Sequence, residues 1–227
     1  MHSIEAEEIA ATAARLIVEE GLEYGPAKRR AVKELGLNSR AALPNNELTE
    51  QAVREYIAIF CADTQPMELA ALRELALKWM QRVPEFRPHL SGAVWRGTAT
   101  RLSDIYIQLF CDDAKSAELL LIDKGVRYEV HAVSGFKGET VDALSVRSRC
   151  DVLNEEIGVH FMVYDYDDLR GALLPDTHGR PWRGDTEEVR RLVDSSHGWS
   201  SDRYTKAFVA PTAFGHRCHG HGCWCGL

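Results

Sequence analysis

The apolar pattern of this chain changes at Pro84, from consecutive helices to a mixture of strands and helices, and that change restricts the fold more than any other feature. Before it, apolar residues recur at helical spacing. Ile9, Ala13, Leu16 and Ile17 share one face of a helix predicted from residue 4 to residue 20, where Gly21 stops it. Pro26 opens a second helix, AKRRAVKEL, which Gly36 closes; proline at the start and glycine past the end is the expected asymmetry. Val53, Tyr56, Ile57 and Phe60 predict a third helix. Leu72, Leu75, Ala76, Trp79 and Val83 predict a fourth, with Pro66 near its start and Pro84 at its stop. These stripes read as core faces.

After Pro84 the pattern alternates. HLSGAVWRG is a short apolar run into a glycine turn. DIYIQLFC, residues 104 to 111, puts Ile105, Ile107 and Leu109 on one side of a strand and Asp104, Tyr106 and Gln108 on the other. DAKSAELLLIDKG reads as a helix ending at Gly125. VRYEVHAV, TVDALSVRS and IGVHFMVYDY read as strands, and DTEEVRRLVD as a last helix capped by Asp185 or Thr186. The expected architecture is α+β: a helical region over 1–84 packed beside a mixed sheet with helices over 85–196.

Residues 197–227 differ from both parts. They hold five glycines, four histidines and three cysteines, with Arg203, Lys206 and Arg217 against Asp202. Little apolar periodicity remains, so this stretch reads as a weakly ordered tail. Its terminal cluster, His216, Cys218, His219, His221, Cys223 and Cys225, offers soft ligands for Zn²⁺ without the paired spacing of a zinc ribbon. Cys61, Cys111 and Cys150 are scattered and read as reduced thiols, which with the acidic N-terminus points to a cytoplasmic protein. No run of about 18 apolar residues occurs, so no membrane partner is expected. Acidic residues number 34 against 27 basic ones; that excess argues against a bulk nucleic-acid coat and leaves room for a local basic groove. Lys28, Arg29, Arg30 and Lys33 read as a solvated helix face. Arg96, Arg101, Arg147 and Arg149 are candidates for phosphate contacts.

The stretch GAVWRGTATRLSDIYIQL, residues 92–109, resembles the signature of the nucleotidyltransferase superfamily with the DNA-polymerase-β-like fold. Gly92 matches the glycine that ends a strand, Arg96-Gly97-Thr98-Ala99 the turn, and Ser103-Asp104-Ile105 the start of the acidic strand. The resemblance covers residues 85 to 175. It implies a nucleoside triphosphate ligand, Mg²⁺ or Mn²⁺, and an RNA, protein or small-molecule acceptor. It assigns nucleotide binding to Ser91, Gly92, Arg96, Gly97 and Thr98. Phosphoryl transfer needs the triphosphate charge neutralised, and Asp-x-Asp on a strand supplies half a metal site.

The sequence departs from that pattern at Tyr106, which stands at the second acidic position, and at His160, which faces the third. Asp104 then has three readings. It is a catalytic residue with Gln108 and a ligand in an altered metal site with Gln108 and His160, or a relic in a catalytically silent nucleotidyltransferase-like fold, or an ordinary solvated or capping aspartate on an unrelated α/β fold. The whole chain also resembles a family of bacterial proteins labelled UDP-N-acetylmuramate–alanine ligase; the chain lacks the G-x-x-x-x-G-K-[ST] loop that such a ligase needs. The leading expectation is a nucleotide-binding protein, with nucleotidyl transfer through a degenerate metal site. The rival is a silent interaction module, toxin–antitoxin-like or RNA-binding.

Overall fold

The computed structural model describes residues 4–38, 40–176 and 179–200. The Cys/His-rich tail and its proposed zinc ligands lie outside the described residues, apart from the backbone of 197–200.

The architecture is α+β. Four helices come first: α1 (Ile4–Glu20), α2 (Tyr24–Glu34), α3 (Asn46–Phe60) and α4 (Gln65–Met80). Then follow β1 (His89–Ser91), the short helix α5 (Gly92–Arg96), β2 (Ile105–Cys111), α6 (Ala114–Asp123), β3 (Glu129–Ser134), β4 (Thr140–Cys150) and β5 (Glu155–Asp165). The chain closes with α7 (Leu169–Ala172), β6 (Arg183–Gly184) and α8 (Thr186–Ser200). The strands form one mixed sheet of order β3-β4-β5-β2-β1-β6, in which only β2 and β5 run parallel.

Local chemistry sets the element ends. Asn45 accepts from the Leu48 amide at 2.8 Å and Asp113 from the Lys115 amide at 3.0 Å, capping α3 and α6. Asp185 and Glu188 bond each other's backbone amides at 2.8 and 2.9 Å, a reciprocal capping box for α8. The second helix starts at Tyr24, two residues before Pro26, so proline sits inside its first turn.

Packing groups the helices differently from the expected boundary at Pro84. Helix α1 lies between α2 and α3: Ile9, Ala13 and Leu16 meet Ala27, Ala31 and Val32, while Ala14 and Val18 meet Val53 and Ile57. Helix α4 belongs to the sheet. Its Leu72, Leu75, Ala76 and Trp79 join Ile105, Ile107, Leu109, Leu144, Val159 and Phe161 in the main core, with Val189 of α8 and Leu121 of α6. The Trp79 ring meets Phe161 edge-on at 5.7 Å, and its Nε1 donates to Ser148 Oγ at 2.9 Å. The third predicted stripe also ends early: Phe60 is exposed, with its ring against Tyr56.

The outer face of the sheet is covered in one half. Phe110, Tyr164 and Ala172 form a second small core there with Phe136 and Met162. Strand β2 is therefore buried on both sides from Ile107 onward, where simple alternation predicted one wet face. The other half, toward the start of β2 and β5, stays open.

Candidate functional site

The open half of the outer face collects the polar residues of three neighbouring strands. Parallel register sets Tyr106 beside His160, and antiparallel register sets Ser145 beside His160 on the other flank. Asp104, just ahead of β2, turns back over β5. Its Oδ1 accepts from the Gly158 amide at 3.0 Å, and its Oδ2 lies 3.2 Å from His160 Nε2. A Cβ at position 158 would fall 2.6 Å from Oδ1, so only glycine leaves room for this carboxylate. The other imidazole nitrogen, Nδ1, is 2.8 Å from Ser145 Oγ. Tyr106 stacks on the imidazole at 5.0 Å between ring centres and 25° between planes, and its hydroxyl donates to Glu23 at 2.7 Å. Glu23 comes from the α1–α2 connection, so the helical region borders the site.

The charge of Asp104 fixes which nitrogen of His160 faces it as a donor. The His160 contact holds the Asp104 carboxyl below its ordinary value, with burial opposing and the Gly158 amide and Arg147 assisting. An ionised carboxylate only accepts, so Nε2 carries the hydrogen. In the neutral imidazole Nδ1 then has its lone pair directed at Ser145, whose hydroxyl donates. The result is a chain, Ser145 to His160 to Asp104, with the exposed Arg147 beside it. Burial first, and then Glu23, push the Tyr106 hydroxyl far up, so it stays a donor.

The other expected residues are placed elsewhere. Gln108 lies one pleat farther along β2, opposite Met162 rather than His160, about 6–7 Å beyond Tyr106. It is buried, and its Oε1 has no hydrogen-bond partner among the described residues. The expected glycine turn is the helix α5. Gly92 starts it at φ +69° with Tyr106 against it, and Ser91 donates to the Tyr106 carbonyl at 3.3 Å. Gly97 ends it at φ +81°. Its last carbonyls, which a helix end leaves open, are taken by the following backbone amides at Ala93 and by side chains of α3 and α4 beyond it. Arg73 donates to Val94 and Trp95, Arg54 to Arg96, and Gln65 to Gly97 and Ala99.

The Arg96 side chain and Thr98 are buried in that same seam. The Arg96 side chain, 7% exposed, pairs with Glu50 at 3.0 Å and Asp176 at 3.1 Å and lies over Trp182. Thr98 is 3% exposed and faces Tyr24, whose hydroxyl is pushed up to about 12 by burial and by Glu50. Among the remaining candidates, Arg101 pairs with Glu155 and Arg149 with Asn154. Lys28, expected on a solvated face, is buried on Pro44 O and Asn46 Oδ1.

The donor set does not fit a two-ion centre. Both Asp104 oxygens are engaged, and among the described residues no three His, Cys, Asp or Glu side chains are placed to hold an ion. Sequence reasoning missed Ser145, Glu23 and Gly158. Alternation in TVDALSVRS does place Ala143, Ser145 and Arg147 on one face, but the partner of that face depends on register. No family model, curated protein or solved structure matches this chain. No helix among the described residues is long and apolar enough to cross a membrane.

The depressed Asp104 value has a measurable consequence. A carboxyl with a lowered folded value stabilises fully above its ordinary value near 3.8 and loses that contribution as pH falls through the lower folded value. Its side chain is 42% exposed, so solvent screening keeps the effect below about 1 kcal/mol. Carbon-detected NMR should show Asp104 titrating below its ordinary value near 3.8 in wild type. It should return to the ordinary range in Gly158→Ala, where the new Cβ displaces the carboxylate. An unchanged titration in that variant would show that the amide and imidazole contacts do not hold the carboxyl.

Proposed function

We infer that this chain is a nucleotide-binding protein that uses the open half of the sheet's outer face and handles a proton there during transfer of a phosphorus group. The observation that supports this most is the convergence of Asp104 and His160 at 3.2 Å on neighbouring parallel strands. The exposed guanidinium of Arg147 lies close enough to act on Asp104 and suits a phosphate. The Tyr106–His160 stack offers an aromatic surface to a base. His160, oriented by Asp104, accepts the proton of a hydroxyl that attacks phosphorus. The nucleotidyltransferase resemblance over residues 85–175 supports the same ligand class. The acceptor is a hydroxyl-bearing RNA, protein or small molecule.

A second reading, a silent interaction module, draws support from Ile59 and Phe60. They stand 72% and 66% exposed at the end of α3.

Calorimetric titration with the four nucleoside triphosphates separates the two. The nucleotide reading expects saturable binding of at least one of them, weakened about tenfold or more in Arg147→Ser, equivalent to roughly 1.4 kcal/mol. No heat with any of the four, with and without Mg²⁺ or Mn²⁺, would leave the interaction module standing.

A further inference from the structure

The site contains its own activated hydroxyl. We propose that Ser145 is the nucleophile of this site and takes a phosphorus group covalently from a phosphate ester or anhydride; the identity of the donor as a nucleotide rests on the function proposed above. The nitrogen of His160 that is free to accept a proton, Nδ1, is occupied by Ser145 Oγ at 2.8 Å, while Nε2 is held by Asp104. Any hydroxyl that this imidazole deprotonates in the arrangement as it stands is therefore that of Ser145. The other serines nearby differ. Ser91 directs its hydroxyl at the Tyr106 carbonyl, and Ser148 points to the opposite face under Trp79.

The step balances as follows. Ser145 Oγ forms a bond to phosphorus as the bond from phosphorus to the leaving oxygen breaks. The hydroxyl proton passes to His160 Nδ1 and then to that leaving oxygen. Asp104 stays ionised and steadies the imidazolium, which makes it a positioning residue. Arg147, two residues along β4 on the same face, lies beside the oxygens that gain charge. A second hydroxyl, from water or an acceptor, then bonds to phosphorus as the Ser145 Oγ–phosphorus bond breaks; its proton passes to His160 Nδ1 and from there to Oγ, which restores the serine.

An alkyl fluorophosphonate probes the nucleophile without any nucleotide: Oγ bonds to phosphorus and fluoride leaves. Intact-mass analysis of the full chain should show one adduct, mapped by peptide sequencing to Ser145 and absent in Ser145→Ala. His160→Gln should slow labelling at least tenfold and Asp104→Asn by a smaller factor, with thermal melts confirming that both variants are folded. No adduct at Ser145, or an equal rate in folded His160→Gln, overturns the proposal, because the hydrogen bond to Nδ1 would then be structural only. Labelling of a chain that binds no nucleoside triphosphate would uphold the nucleophile and discard the nucleotide as donor. Nucleotide binding without labelling would do the opposite.

Discussion

Arg96→Met should destabilise the protein by about 3–5 kcal/mol, the range for removing one partner of a buried charge cluster. Its guanidinium joins three parts of the chain that are far apart in sequence: Glu50 of α3, the end of α5, and Asp176 ahead of β6. The Asp176 side chain is fully buried and that of Glu50 is 8% exposed. Arg54 continues to serve Glu50, and the Arg180 amide and Nε continue to serve Asp176. Each buried carboxylate keeps that one guanidinium but loses the second, and the bridge between them is lost. For a chain of this length the expected fall in Tm is on the order of 10 °C. Arg96→Lys should recover only part of it, because an ammonium cannot span both carboxylates with a planar fork. Chemical denaturation of the three proteins measures this. A loss under about 1 kcal/mol would mean that water takes over the carboxylates, and Arg96 would again be available as a phosphate ligand.

Arg183→Met should do the reverse and stabilise the protein, by up to the roughly 1–4 kcal/mol seen when buried ionic groups are exchanged for apolar ones. Arg183 is buried, yet its Nε and Nη1 have no hydrogen-bond partner among the described residues. Its guanidinium lies 4.6 Å from the centre of the Phe136 ring, and burial pulls its pKa down. A ring face returns only about 0.5–2 kcal/mol to a cation, less than desolvation removes. Methionine is flexible enough to fill the same space on Phe136 and carries no charge. The same denaturation experiment decides it. A clear loss of stability in Arg183→Met would show that the cation has a counter-charge in solution. The two substitutions are chemically identical, so opposite signs would isolate pairing, rather than burial, as the deciding quantity.

Much of the fold was legible because helical and strand periods differ. The first helix and the strand at 105–111 are placed where 3.6-residue and two-residue spacing put them. Less legible was which layer an amphipathic helix joins. The stripe of α4 states that one face is buried; it does not say against α1–α3 or against a sheet. Gln108 shows the same limit within a strand. Alternation places it with Asp104, but the cover formed by Phe110, Tyr164 and Phe136 closes over its part of the face.

Of the site, Asp104 and His160 were readable as residues sharing one side of neighbouring strands. Their contact was not, since it depends on Asp104 folding back over Gly158 beyond the end of its own strand. The sequence by itself determined the local periods, the cap at Asp185, and the alternation of polar positions on β2, all of which are set by interactions within a few residues. Only the tertiary structure decided that Ser145 meets His160, that Tyr106 meets Glu23, and that Arg96 serves two carboxylates while Arg183 serves none among the described residues. Those pairings join residues 15 to 83 positions apart. They follow from strand register and layer packing, which are set by burial summed over the whole chain.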